Sequence, residues 1–141
     1  MPEAHAGRLF DHVHVRVADL DVSRRFYTGA LAALGREVRG GTSSFFADEL
    51  YVSSDGEPTE KLHLAFQAED REAVERFYEA ALASGGRDNG RPEERDYHPG
   101  YFACFVLDPD GNNVEAVYHG PIERSAASVV FSWDEPENAE T

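Results

Sequence analysis

At 141 residues, with 41% hydrophobic and 11% aromatic content, the chain has the composition of one globular domain and is too short for two independent cores. A net charge of −14, spread along the sequence, excludes nucleic acid as a natural partner, and the single cysteine, Cys104, excludes an intramolecular disulfide. No apolar run has the length that a signal peptide or a membrane span needs, so the expected setting is cytoplasmic, reducing and away from membranes.

Residues 9–17 alternate, with Val13, Val15 and Val17 on one side and His12, His14 and Arg16 on the other, the pattern of a half-buried strand. Two histidines at i and i+2 project from the same sheet face. From Asp19 to Leu34 the period changes to a helical stripe of Val22, Phe26, Tyr27, Ala30, Leu31 and Leu34, with Asp19 or Asp21 as the cap and Gly35 as the stop. Three short strands follow at 36–39, 44–47 and 49–53, and residues 54–59 form a linker.

A second strand, Lys61 to Ala68, opens with His63, and a second helix runs from about Asp70 to Ser84 with Ala73, Phe77, Tyr78, Ala81 and Leu82 as its stripe. Gly90 to Gly100 reads as a polar loop ending in Tyr97-His98-Pro99-Gly100, the size of a lid or binding segment. Tyr101–Leu107 is an apolar strand in which Cys104 reads as a small buried thiol. Asp108-Pro109-Asp110-Gly111 is a turn, and Asn112–Tyr118 returns as the partner strand. Spacing alone leaves Glu115, on that returning strand, open between a solvent-facing residue and a functional one. His5 and His119 read as incidental.

The chain is written twice. Shifting it by 51 positions (63 − 12) aligns His12 with His63, Asp19 with Asp70, Arg25-Phe26-Tyr27 with Arg76-Phe77-Tyr78, Ala30-Leu31-Ala32 with Ala81-Leu82-Ala83, and Gly35-Arg36 with Gly86-Arg87. That is 10 identities in 25 ungapped positions, 12–36 against 63–87. Two copies of one supersecondary unit must therefore share a core.

Two units of strand, helix and three strands, each opened by a histidine, and an ending Asp108-Pro109-Asp110-Gly111-Asn112-Asn113-Val114-Glu115-Ala116, resemble the vicinal oxygen chelate superfamily. That group holds glyoxalase I, extradiol dioxygenases, fosfomycin-resistance enzymes and bleomycin-resistance proteins. The resemblance covers residues 9–119. It implies an α+β fold of two βαβββ repeats, residues 8–56 and 61–119, forming an open, curved, barrel-like sheet with helices on the outside, all in one domain with an acidic tail from about 134 to 141.

It further implies a divalent metal ion (iron, manganese, nickel or zinc) held by His12, His63 and Glu115, leaving positions open for adjacent oxygens of a small substrate. His14, on the face of His12, is the candidate acid or base, and an alternative first-strand ligand. Tyr51, Tyr97, His98, Tyr101 and Phe105 are the candidate cavity lining. The implied function is a glyoxalase- or dioxygenase-like metalloenzyme, whether lyase, isomerase, dioxygenase or thiol transferase, assembled as a homodimer. The alternative is sequestration of a small molecule without catalysis, as in bleomycin-resistance proteins. Glyoxalase I also takes a glutamate from the last strand of its first unit, where Leu50-Tyr51-Val52-Ser53 offers none. Fosfomycin enzymes carry threonine where His14 stands and tyrosine where Phe105 stands.

Overall fold

The computed structural model describes residues 2–7 and 9–134, so the expected acidic tail lies, beyond Asp134, outside the described residues. The first unit comprises β1 (Val13–Arg16), α1 (Leu20–Ala32), β2 (Arg39–Gly40), β3 (Ser44–Ala47) and β4 (Leu50–Ser53). The second comprises β5 (His63–Gln67), α2 (Arg71–Ala83), β6 (Arg87–Glu94), β7 (Phe102–Leu107) and β8 (Asn113–Tyr118). Each unit makes its own four-stranded sheet, ordered β1-β4-β3-β2 and β5-β8-β7-β6. In both, the first strand runs parallel to the last and the remaining pairings are antiparallel. The fold is thus α+β, with two open sheets rather than one closed barrel, and β1 and β5 are both edge strands.

The aligned aspartates act as the sequence requires: the Asp19 carboxylate accepts the Val22 N–H, and that of Asp70 accepts the Ala73 N–H, each satisfying a donor the helix start leaves free. Phe26 and Phe77 occupy equivalent places and are fully buried, each contributing about 1.5–3 kcal/mol of hydrophobic stabilisation. α1 packs on its sheet through Tyr27 and Phe45, ring centroids 6.1 Å apart, and α2 on its own through Phe77 and Phe66, 6.2 Å apart. The helices also meet each other. A Cβ at Gly29 of α1 would fall 2.1 Å from Ser84 Oγ and 3.0 Å from its Cβ at the end of α2, so any larger residue there requires Ser84 to move. The result is one core drawn from both units.

A polar seam joins the halves. The buried Tyr27 hydroxyl donates to Asp108 Oδ2 at 2.6 Å, while Asp108 Oδ1 accepts the N–H groups of Asp110 and Asn112 at 3.0 and 2.9 Å. Asp110 Oδ1 accepts the Ala18 N–H at 3.1 Å, and the Asn112 side chain bridges the Thr59 carbonyl and the Leu62 N–H, both at 2.9 Å. Burial, foremost, pushes the Tyr27 phenol well above its usual range, and burial also raises Asp108 against the hydrogen bonds that lower it. The Asp-Pro-Asp-Gly stretch is therefore a clasp as well as a turn.

Two expectations are corrected. Residues 90–94 are not loop but the end of strand β6, whose pairing with β7 slips between Asp88 and Gly90 and again between Gly90 and Glu93. An edge position and these irregularities accommodate Gly90 and Pro92, which read as loop residues in sequence. The strand expected at 36–39 is only Arg39–Gly40. Among the described residues no helix is long and apolar enough to cross a membrane.

Candidate functional site

On the second sheet, β5 and β8 pair in parallel with His63 opposite Asn113, which places His63 diagonally across from Glu115 on one face. His63 Nε2 and Glu115 Oε1 are 2.7 Å apart. Glu115 is only 2% exposed, which decides against the solvent-facing alternative. Its other oxygen, Oε2, accepts the Tyr101 hydroxyl. Burial, and then the hydrogen bond to Glu115, pushes the Tyr101 phenol up, so it remains a donor. Phe105 lies opposite Glu115 on β7, its ring 6.0 Å from that of His63.

Tyr101 is wedged edge-on among Tyr97, His98 and His119, at centroid distances of 4.9, 5.3 and 5.1 Å. His98 Nε2 and His119 Nδ1 are 3.0 Å apart, and ring centroids 5.2 Å apart in nearly parallel planes at that N···N distance set the two imidazoles end to end. His98 Nδ1 faces the Pro99 carbonyl at 2.9 Å and must donate to it, so in the neutral pair His119 Nδ1–H donates to the bare Nε2 of His98. Burial, then the charge of His98, holds His119 below the usual imidazole range. His119 thus has a partner the sequence did not show: it lies beyond β8, and the return of the 95–100 loop brings His98 against it.

On the first sheet, His14 lies opposite Tyr51 on β4, their rings 4.6 Å apart. His14 Nε2 is 2.7 Å from Ser53 Oγ, and Ser53 donates to Asp55 Oδ1. Arg16 Nε stands 3.3 Å from the same carboxylate oxygen. The Ser53 hydrogen bond is the largest influence holding Asp55 below the usual carboxylate range. His12 precedes β1, and its 64% exposed ring stands 2.8 Å from Asp11 Oδ1, its one hydrogen-bond partner among the described residues. The structure therefore brings His63 and Glu115 together and leaves His12 on the other sheet. Among the described residues, no three of His, Cys, Asp and Glu converge as a metal-binding group within one chain. Cys104 is buried, and burial pushes its thiol up to about 12, which leaves it inert.

The face that carries His63 and Glu115 continues through Gln67 and Val117, by strand alternation, to a groove of about 140 Å³ bordered also by His119, Ile122 and Arg124.

Two βαβββ units, each presenting a histidine from its first strand on an open sheet face, define the paired-βαβββ class of proteins. The chain belongs to the Glyoxalase/Bleomycin resistance protein/Dioxygenase superfamily, whose sequence pattern matches residues 9–116. It is 33% identical over 126 residues to the uncharacterized protein YqjT of Bacillus subtilis, an alignment covering 75% of this chain and 95% of that protein. It is similar in structure to a glyoxalase/bleomycin resistance protein from Albidiferax ferrireducens, with a TM-score of 0.68, 30% identity, and coverage of 77% of this chain and 97% of the other. A lactoylglutathione lyase from Agrobacterium tumefaciens shares the fold at a TM-score of 0.56 and 18% identity, with 80% and 95% of the chains covered.

Proposed function

We propose that the protein is a metal-dependent enzyme that takes hold of a small molecule through two adjacent oxygens, and that His63 and Glu115 of one chain and His12 of a second copy form its metal site. The observation that carries the reading is the His63–Glu115 pair, whose donor atoms lie 2.7 Å apart around a buried carboxylate. Two ligands with bonds of about 2.0–2.2 Å at roughly right angles to one another sit about 3 Å apart, so this pair fits an ion with little movement. Imidazole and carboxylate together suit iron, manganese, nickel or zinc. The two donors fit the ion in part, and a third must arrive from elsewhere.

A second copy is the natural source. β1 and β5 both offer an unpaired edge, and antiparallel or parallel addition of one copy's β1 to the other's β5 closes under two-fold symmetry. Leu9 and Phe10, just before β1, are 87% and 69% exposed in the single chain, as residues awaiting a cover would be. His12 lies in the same stretch, and among the described residues its side-chain hydrogen bond is to its neighbour Asp11.

A divalent ion so held supplies Lewis acidity toward the substrate's paired oxygens. The residues do the rest. Tyr101 fixes the rotation of the Glu115 carboxyl, so that Oε1 is the oxygen presented beside His63. Phe105, opposite Glu115 on β7, is placed to help cover that buried carboxylate. The face of His14 and Tyr51, brought over by the partner, supplies a proton acceptor.

The test is metal content together with ligand binding. Protein loaded with Mn(II), Ni(II) or Zn(II) should bind a catechol, a 2-hydroxy acid or a hydroxamate only with metal present, and His63→Ala or Glu115→Gln should abolish that binding. Metal content unchanged by either substitution refutes the site. Tight binding of a cationic glycopeptide, indifferent to metal and to both substitutions, would instead assign the acidic, aromatic-lined face to sequestration.

A further inference from the structure

We propose that Ser53 and Asp55 are positioning residues that fix His14 as its Nε2–H tautomer, leaving Nδ1 as a hydrogen-bond and proton acceptor turned toward the substrate. The inference deepens the functional reading above and rests on it for the word substrate, but the tautomer itself follows from hydrogen-bond bookkeeping on the first sheet.

Ser53 has one proton to give. It is 3% exposed and stands between two groups, Asp55 Oδ1 and His14 Nε2. A carboxylate only accepts, and Asp55 is kept ionised by the Ser53 hydroxyl and by the Arg16 guanidinium 3.3 Å away. The Ser53 proton therefore goes to Asp55. What remains toward His14 is a lone pair on Oγ, which only an N–H can use, so Nε2 carries the hydrogen. In the neutral ring Nδ1 then has its lone pair free, and no described group donates to it.

The ring cannot easily turn away from this arrangement. Its side chain is only 25% exposed, it packs on Tyr51, and the bond to Ser53 reaches diagonally across the paired strands from His14 on β1 to the last residue of β4. The second sheet repeats the geometry. There, too, the first-strand histidine meets the residue two beyond its register partner on the last strand: 14 pairs with 51 and bonds 53, while 63 pairs with 113 and bonds 115. The two pairs are offset by one pleat, since His12 rather than His14 aligns with His63.

Serine, histidine and aspartate in one cluster invite comparison with acyl-transfer triads, and the connectivity argues otherwise. In those sites the carboxylate holds the imidazole and the imidazole faces the hydroxyl. Here the carboxylate holds the hydroxyl, and His14 lies 3.9 Å from Asp55. Ser53 thus has its proton directed away from the imidazole and is not poised as a nucleophile. The chemistry this favours is abstraction of a proton from an O–H or an acidic C–H next to the substrate's chelated oxygens, by Nδ1.

Nitrogen-15 NMR of the wild-type protein, through two-bond couplings to the ring protons, reads the tautomer directly and needs neither metal nor turnover. The expected pattern for His14 at neutral ring charge is a protonated Nε2 and a bare Nδ1. Ser53→Ala and Asp55→Ala should each raise the Nδ1–H population, seen as the two nitrogen shifts moving toward one another, and Ser53→Thr, which keeps the hydroxyl, should restore the wild-type pattern. Asp55 is exposed, so Asp55→Ala tests the relay without disturbing the core. A wild-type ring carrying its hydrogen on Nδ1, or a pattern unmoved in either alanine variant, overturns the proposal. Failure of metal binding with this pattern intact would strike the functional reading and leave the tautomer standing.

Discussion

The seam between the halves gives the sharpest test of the packing argument. Tyr27→Phe deletes one oxygen atom and nothing else. Tyr27 and Asp108 are each 1% exposed, and Asp108 Oδ2 has the Tyr27 hydroxyl as its side-chain donor while Oδ1 takes the two turn N–H groups. Removing the donor strands a buried carboxylate oxygen, at a cost of about 2–3 kcal/mol, because hydrogen bonds to charged groups run stronger than the average and water cannot replace this one. For a chain of this length that corresponds to a fall in Tm of roughly 6–12 °C. Urea unfolding at pH 7, followed by near-ultraviolet circular dichroism, measures it. Tyr78→Phe, at the equivalent place in the repeat but partly exposed, should shift the midpoint far less. In an Asp108→Ala background, Tyr27→Phe should lose most of its effect, as a direct pair requires. The deficit should also narrow in acid. Asp108 titrates above its ordinary range and would titrate higher still without Tyr27, so protonation removes the charge whose solvation was lost. A cost below about 0.5 kcal/mol at pH 7, or one equal in both backgrounds, refutes the reasoning.

The remaining predictions concern caps, titration and assembly. Gly86→Ala would put a Cβ 2.6 Å from Val106 and 2.7 Å from Phe26, an overpacking cost of about 1–3 kcal/mol, whereas Gly35→Ala meets open space and loses only about 1–2 kcal/mol through its φ of +75°; urea midpoints should rank them so. His119 is held below its usual range, so the folded state prefers its neutral form; stability should be fully present above about pH 6.5 and fall as pH drops through and below that value, with His119→Gln flattening that part of the profile. If the metal site is shared between copies, mixing His12→Ala with Glu115→Gln protein and allowing subunits to exchange should restore about a quarter of the wild-type metal content, since half the dimers are mixed and each then has one complete site. No recovery on mixing assigns all the ligands to one chain.

Much of the architecture was legible because the repeat tied weak local signals together. Asp19 and Asp70 cap, and Phe26 and Phe77 pack, as alignment of the two halves requires. The copies solve the same problem differently at the ends of their helices. Gly35 takes the left-handed cap in α1, but in α2 that place falls to Gly85, φ +107°, and the aligned Gly86 serves a close contact with Phe26 instead. β6 escaped notice because an exposed edge strand with bulges has no alternation to read. At the candidate site, His63 and Glu115 were visible through resemblance, while the burial of Glu115 was not, since its cover comes from Tyr101, ahead of β7, and Phe105. Ser53 and Asp55 left no trace in sequence, because only the pairing of β1 with β4 brings position 53 to position 14.

The turn from β3 to β4 is only Asp48 and Glu49, whereas the turn from β7 to β8 spans residues 108–112 and reaches into the other half. The duplicated halves have consequently become hook and eye. Only the second carries Asp108 and Asp110, and only the first carries the Tyr27 hydroxyl and Ala18 N–H that receive them. Two separate polypeptides cut within residues 54–58 would therefore re-form the Tyr27–Asp108 and Ala18–Asp110 contacts only as first half with second. A first half, whose β3–β4 turn lacks that reach, has nothing with which to hook a copy of itself, whereas a second half carries Tyr78 where the first carries Tyr27.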